Sequence, residues 1–130
     1  TMKRLGIRMP DPTDRWQPGD EAGSNFPGVA PGLFVVREGP GVLLKLGEPL
    51  GQLSPGTVVT GRLLFGRERV YGRFTEARTP GGDTYSVCLE AWGVKEGARV
   101  RGLPRYQDKG GPGTATVSAV PHLRPVERFE

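Results

Sequence analysis

Through the second half of the chain, apolar and polar residues alternate at every second position. In "TVVTGRLLF", residues 57–65, Val59, Leu63 and Phe65 share one parity, and Val58, Thr60, Arg62 and Leu64 take the other. In "RVYGRFTEAR", residues 69–78, Val70, Phe74 and Glu76 stand against Tyr71, Arg73 and Thr75. "TYSVCLEAW", residues 84–92, sets Tyr85, Val87, Leu89 and Ala91 against Ser86, Cys88 and Glu90. A period of two puts successive side chains on opposite faces of a strand. Between the last two runs, "TPGGD" at 79–83 supplies a reversal, because Pro presets the first bend and Gly tolerates positive φ. The three runs predict an antiparallel meander. Gly61 and Gly72 interrupt it where glycine weakens a strand, which predicts a bulge, a bend or a close backbone approach. Such bends curl a sheet into a barrel or fold it into a sandwich.

Upstream, "LFVVREGPGVLLKLGE" reads as two short apolar strands around a Gly-Pro-Gly turn, followed by the loop "PLGQLSPG". Downstream, residues 93–113 read as loop, with a short strand over Ala98 to Arg101 and a mobile tip at "DKGGPG". "TATVSAVPHLRPVERFE" alternates at Ala115, Val117 and Ala119, predicting another strand and then a terminal edge segment, since Pro121 and Pro125 suit an edge. No stretch carries a helical period. The expected fold is all-β: a small antiparallel barrel or sandwich built around a three-stranded meander, with residues 33–130 as the compact domain. Residues 1–32, which include "MPDPTDRWQPGDEAGSNFPGVAPG", predict an irregular Pro/Gly-rich N-terminal arm, because each proline removes a donor and restricts its predecessor. Trp16 and Phe26 are its bulky apolar residues. The simpler reading is that they pin the arm to its own domain, and the alternative offers them to a partner.

Composition changes this picture little. A chain of 130 residues suits one domain with an ordinary core. Its 21 Gly and 13 Pro approach low-complexity levels, but they gather in the arm and between the apolar runs, where they act as punctuation. The net charge of +4 permits a polyanionic partner without requiring one. Lys3, Lys45, Lys95 and Lys109 are the only lysines among 18 basic residues. A GC-rich coding bias explains that excess of arginine more simply than selection for phosphate contacts. Cys88 is the only cysteine, so no internal disulfide forms and a reducing compartment is favoured. No apolar run reaches the ~18 residues of a membrane helix, and the first residues lack the apolar core of a signal peptide. Cytoplasmic location and no membrane association are therefore expected, although Thr1 ahead of Met2 suggests a chain cut from a longer one.

The residues argue against catalysis. His122 and Cys88 are too few for the usual zinc ligand sets, so no metal or other cofactor is expected. A Ser-His-Asp set would have to use His122, and no nucleophile elbow is present. A Cys-His pair is formally possible, but Cys88 sits mid-strand among apolar neighbours, where thiols are inert. "GRLLFGRERVYG" matches neither phosphate-binding glycine fingerprint. What stands out is a basic hairpin. Arg62, Arg67, Arg69, Arg73 and Arg78 fall in it against Glu68 and Glu76, and Arg69, Tyr71 and Arg73 share one side of their strand. Alternating charge is also how a solvated strand face looks. As a binding surface it would take a protein partner through Arg62, Arg69, Tyr71, Arg73 and Arg78, Arg and Tyr being favoured interface anchors. The alternative is nucleic acid, with phosphates on the arginines and a base stacked on Tyr71.

The block "PGTVVTGRLLFGRERVYGRFTEARTPGGDTYSVCLE", residues 55–90, together with the terminal "VERFE", resembles a little-characterised bacterial domain associated with serine/threonine protein kinases, as a C-terminal extension or as a neighbouring separate protein. The resemblance covers roughly residues 33–130. It implies a non-catalytic regulatory or interaction module with a serine/threonine kinase as partner; the kinase's own glycine-rich loop, "HRD" and "DFG" are absent. The family has no established activity, so no functional residue is carried over. "PGTVVTG" and the "TPGGDTYSV" hairpin are also similar to the β-barrel domains of bacterial envelope-spanning secretion channels, which implies a component of an envelope or secretion assembly as a further alternative.

Overall fold

The alternating runs become staves of a closed barrel. The computed structural model describes residues 2, 4–7, 21–106 and 111–126; Trp16 and part of the "DKGGPG" tip lie outside them. The elements are β1 (Ala22–Asn25), β2 (Leu33–Arg37), β3 (Gly39–Leu46), β4 (Val58–Phe65), β5 (Arg69–Arg78), β6 (Thr84–Lys95), β7 (Ala98–Arg101), β8 (Leu103–Pro104), β9 (Thr114–Ser118) and β10 (His122–Pro125). Every one is a strand, so the described residues contain no helix that could cross a membrane. The order β6-β10-β1-β3-β4-β5, with β5 pairing back onto β6, closes six antiparallel strands into a ring. Closure removes the exposed edges that an open sheet would present.

Inside, one parity of each stave fills the core. Leu44 and Leu46 of β3, Val59 and Leu63 of β4, Val70 and Phe74 of β5, Leu89 of β6 and Leu123 of β10 are all essentially inaccessible. The barrel is therefore packed rather than hollow. β2 and β9 form a separate two-stranded sheet, which buries Val36, Ala115 and Val117 in the same core. Hydrogen bonds join this sheet to the barrel: the Phe65 amide donates to Glu38 Oε2, just after β2, at 2.7 Å, and the Tyr106 amide, just after β8, donates to the Thr116 carbonyl of β9 at 2.9 Å. β7 and β8 enter as a wedge where β5 and β6 diverge, β7 pairing with the end of β6 and β8 with the start of β5.

Bulges set the curvature. Gly41 is an extra residue on β3, between the pairs Pro40–Arg62 and Val42–Gly61. Thr75 is an extra residue on β5, between Phe74–Gly61 and Glu76–Thr60. At Gly61 the backbones of β4 and β5 come so close that a Cβ would fall on the Arg73 carbonyl oxygen and Phe74 Cα. That is the close approach which a glycine inside a strand predicts.

Several expectations change. β2 and β3 do not pair with each other: the chain changes sheets at Glu38, and "GPG" opens β3 with a bulge instead of a turn. Glu76 does not share a face with Phe74, because the Thr75 bulge flips the parity and leaves Ala77 pointing inward. β10 is not an edge but a central stave. Pro121 precedes the strand, and Pro125 is tolerated because β1 reaches only His122 and Leu123, which leaves Pro125 paired with β6 alone. Residues 1–32 are not all arm. β1 lies within them as a stave, Leu5 and Ile7 are buried, and Phe26 is buried with its ring 4.9 Å from that of Phe34. Phe26 thus pins this segment to its own domain.

Candidate functional site

The outer parity of the staves draws distant residues into one face. Across β4, β5, β6 and β10, the register aligns Arg62 with Arg73, Arg73 with Glu90, and Glu90 with Arg124. With strands ~4.8 Å apart, this row spans about 14 Å. Two residues along β5 lies Tyr71, and two along β6 lies Trp92. The β7 wedge places Arg101 between them, paired with Trp92. Its guanidinium carbon sits 5.6 Å from the centre of the Tyr71 ring, and that of Arg124 sits 4.2 Å from the centre of the Trp92 ring. Guanidinium over an aromatic face is favourable and restricts the side chain.

Glu90 is the hub. It is only 7% exposed, and its Oε2 accepts from Arg101 Nε at 3.1 Å. This carboxylate, bonded to Arg101 and in register with Arg73 and Arg124, offsets their mutual repulsion and fixes where the Arg101 head lies. Arg69 is tied down differently, donating from Nη1 to the Arg101 carbonyl at 3.1 Å. Small residues make room for the aromatic platform: a Cβ on Gly66 or Gly102 would meet the Tyr71 ring.

Of the residues nominated by sequence, Arg69, Tyr71 and Arg73 do project from one side of β5, and Arg62 joins them from β4. All but Arg62 are half-buried. Arg78 is not brought into the group. It lies beyond the Thr75 bulge opposite Val58 and Thr84, about 17 Å along β5 from Arg73. Sequence reasoning missed Glu90, Trp92, Arg101 and Arg124. The outer parity of "TYSVCLEAW" already contained the first two; Arg101 arrives through the β6–β7 hairpin, and Arg124 only through barrel closure.

The remaining reactive groups stay apart. Cys88 and His122 stand at opposite ends of the β6–β10 ladder, since His122 pairs with Trp92, about 13 Å along β6 from Cys88. Burial, and then the Glu90 charge, push the Cys88 thiol above its ordinary pKa, which is the reverse of nucleophile activation. His122 Nδ1 lies 3.7 Å from Glu21 Oε1, which also accepts from Arg99 Nε at 2.6 Å. Among the described residues, no group of His, Cys, Asp and Glu is placed to hold a metal ion. No family model matches this chain, and no curated protein matches it either.

Proposed function

We propose that this chain is a non-catalytic interaction module that docks an acidic protein segment onto the outer face of β4, β5, β6 and β10. The observation that carries this reading is the Arg62–Arg73–Glu90–Arg124 row, flanked by the Arg101–Tyr71 and Arg124–Trp92 stacks. Arg101 and Arg124, stacked on aromatic rings, have already lost much of the freedom that binding would otherwise take from them. Arg, Tyr and Trp are also the residues that dominate interface energies. Glu90 inside the row, with Glu76 and Glu21 near its two ends, patterns the charge. A uniform polyanion meets repulsion there, whereas a partner with spaced carboxylates does not. The resemblance noted in the sequence nominates a serine/threonine kinase as the partner.

Nucleic acid is the second reading, because Trp92, Arg101 and Arg124 extend the basic, aromatic side of the hairpin. The two stacked guanidinium groups, however, occupy the ring faces that a base would need.

The test is an affinity capture from the native lysate with the wild-type chain and with Arg62→Glu/Arg124→Glu, each with and without nuclease. A protein held by the wild type through nuclease treatment and lost from the charge-reversed chain supports the reading, and a kinase among the retained proteins supports the nominated partner. Equal capture by both chains overturns it. Retention that disappears with nuclease, and weakens steeply with salt, moves the assignment to nucleic acid.

A further inference from the structure

The bulges that curve the barrel also open a groove, and its chemistry is distinct from the rest of the face. Gly41 on β3 and Thr75 on β5 are extra residues at the same level of the sheet, on either side of Gly61. The outer surface between β3, β4 and β5 is depressed there into a groove of about 480 Å³. Its floor includes the backbone of Gly41 and Gly61, which carry no side chains. On one side stand Arg62 and Arg73, and on the other Thr60, Thr75 and Glu76.

Arg62 and Arg73 are directly opposite each other on neighbouring strands. Like charges in that position oppose pairing. Arg73 faces Glu90 on its other flank. Arg62 is exposed and has no ion-pair or hydrogen-bond partner among the described residues. The groove thus holds a cationic pair whose outer member lacks a counter-ion, beside two hydroxyl side chains.

We propose that this groove is an oxyanion site that takes a phosphate monoester. A carboxylate offers two oxygens, enough for one guanidinium fork. A phosphate monoester offers three, with a charge of about −1.5 to −2 at neutral pH, which suits two guanidinium groups and a hydroxyl together. The groove volume lies within the range of small-ligand sites and exceeds what the phosphate alone needs, leaving space for the group it esterifies. Glu76 is the opposing element, since its carboxylate repels the dianion. The site lies at one end of the docking face and rests on the reading of that face as a binding surface. The phosphate belongs either to a phosphorylated side chain of a partner or to a small phosphorylated metabolite.

The experiment is an amide NMR titration of the full chain with inorganic phosphate, glycerol phosphate, phosphoserine and a phosphoserine peptide. Saturable shifts at Thr60, Gly61, Arg62 and Thr75 are expected. Arg62→Gln should weaken binding about tenfold or more, the loss typical of one charged hydrogen-bonding partner, and Glu76→Gln should tighten it at pH 8. Preference for the phosphopeptide assigns the source to a macromolecule, and equal or tighter binding of glycerol phosphate assigns it to a metabolite; both support the site. Absence of groove shifts with all four probes, or shifts unchanged by Arg62→Gln, overturns it. Capture of a protein partner through Arg124 in the absence of phosphate binding would remove this inference alone. Phosphate binding with capture indifferent to the charge reversals would instead remove the docking reading.

Discussion

The two faces of β5 obey different rules. Inward, Val70, Gly72, Phe74 and Ala77 meet other staves with no space left over; a Cβ on Gly72 would already touch the Ala91 and Phe74 side chains. Outward, Arg69, Tyr71 and Arg73 are half-buried; a carbonyl holds Arg69, a guanidinium stacks on Tyr71, and Arg73 stands across from Glu90 in the register. The inner face tolerates almost no change in volume. On the outer face, geometry and charge matter more than volume. The division teaches that the barrel supplies the support and that, on the proposed reading, the outer face does the binding.

The largest expected effect lies inside. Phe74→Ala empties the centre of the barrel and should reduce unfolding free energy by about 3–5 kcal/mol, read from denaturant titration. Gly61→Ala belongs to the same class although it adds only a methyl group. That methyl collides with backbone instead of a flexible side chain, so a loss of about 1–3 kcal/mol or an unfolded product is expected. A stable Gly61→Ala protein would show that β4 and β5 are not in such close contact.

Next in size is the hub of the outer face. Glu90→Ala leaves Arg101 without its carboxylate acceptor in a half-buried setting and should lose about 1–3 kcal/mol. It should also weaken partner binding, because Arg101 loses the group that positions it and the row loses its internal counter-charge. The triple replacement of Arg69, Tyr71 and Arg73 by Ala sharpens the same point. A merely solvated stripe would leave the melting temperature nearly unchanged. The structure predicts a measurable drop, because Arg69 and Tyr71 anchor the β7–β8 wedge through the Arg101 carbonyl and guanidinium.

A smaller effect concerns Cys88, on the same outer parity as Glu90. Burial and the neighbouring carboxylate raise its pKa, so less thiolate is present at pH 8 than for a free cysteine. Iodoacetamide should alkylate Cys88 more slowly than it does a short cysteine peptide, and Glu90→Gln should recover part of the rate by removing the opposing charge. Alkylation as fast as in the peptide would mean that the β6 outer face is open to solvent there.

The meander was legible because it is local. Alternation in "TVVTGRLLF", "RVYGRFTEAR" and "TYSVCLEAW" gives β4, β5 and β6, and "TPGGD" sets the turn between the last two. Closure was not legible. It depends on Ala22–Asn25, four residues without apolar alternation whose inward positions are Ala22 and Ser24, and on a proline-bounded β10 that pairs with a strand some 30 residues upstream. The same long-range pairing hid half of the candidate site. Arg73 and Tyr71 were visible as a stripe on one strand, whereas Arg124 reaches Trp92 only once β10 lies beside β6. The Thr75 bulge hid the remainder, since a strict period of two carries Glu76 to the wrong face.

The smallest stability effect makes the sharpest division between the faces, because its sign should be reversed. Arg62 is exposed, has no counter-ion among the described residues and stands directly across from Arg73. Removing it by Arg62→Ala takes away a like-charge cross-strand pair and very little packing. The melting temperature should hold or rise slightly, corresponding to about 0.2–1 kcal/mol in the stabilising direction. Binding to the outer face should fall in the same variant. A residue that opposes folding yet supports binding is what a functional surface requires, since stability alone would favour its replacement. If Arg62→Ala instead destabilises the barrel by more than about 1 kcal/mol, Arg62 serves the fold, and the boundary between support and working surface must be drawn further along the row, at Glu90 and Arg124.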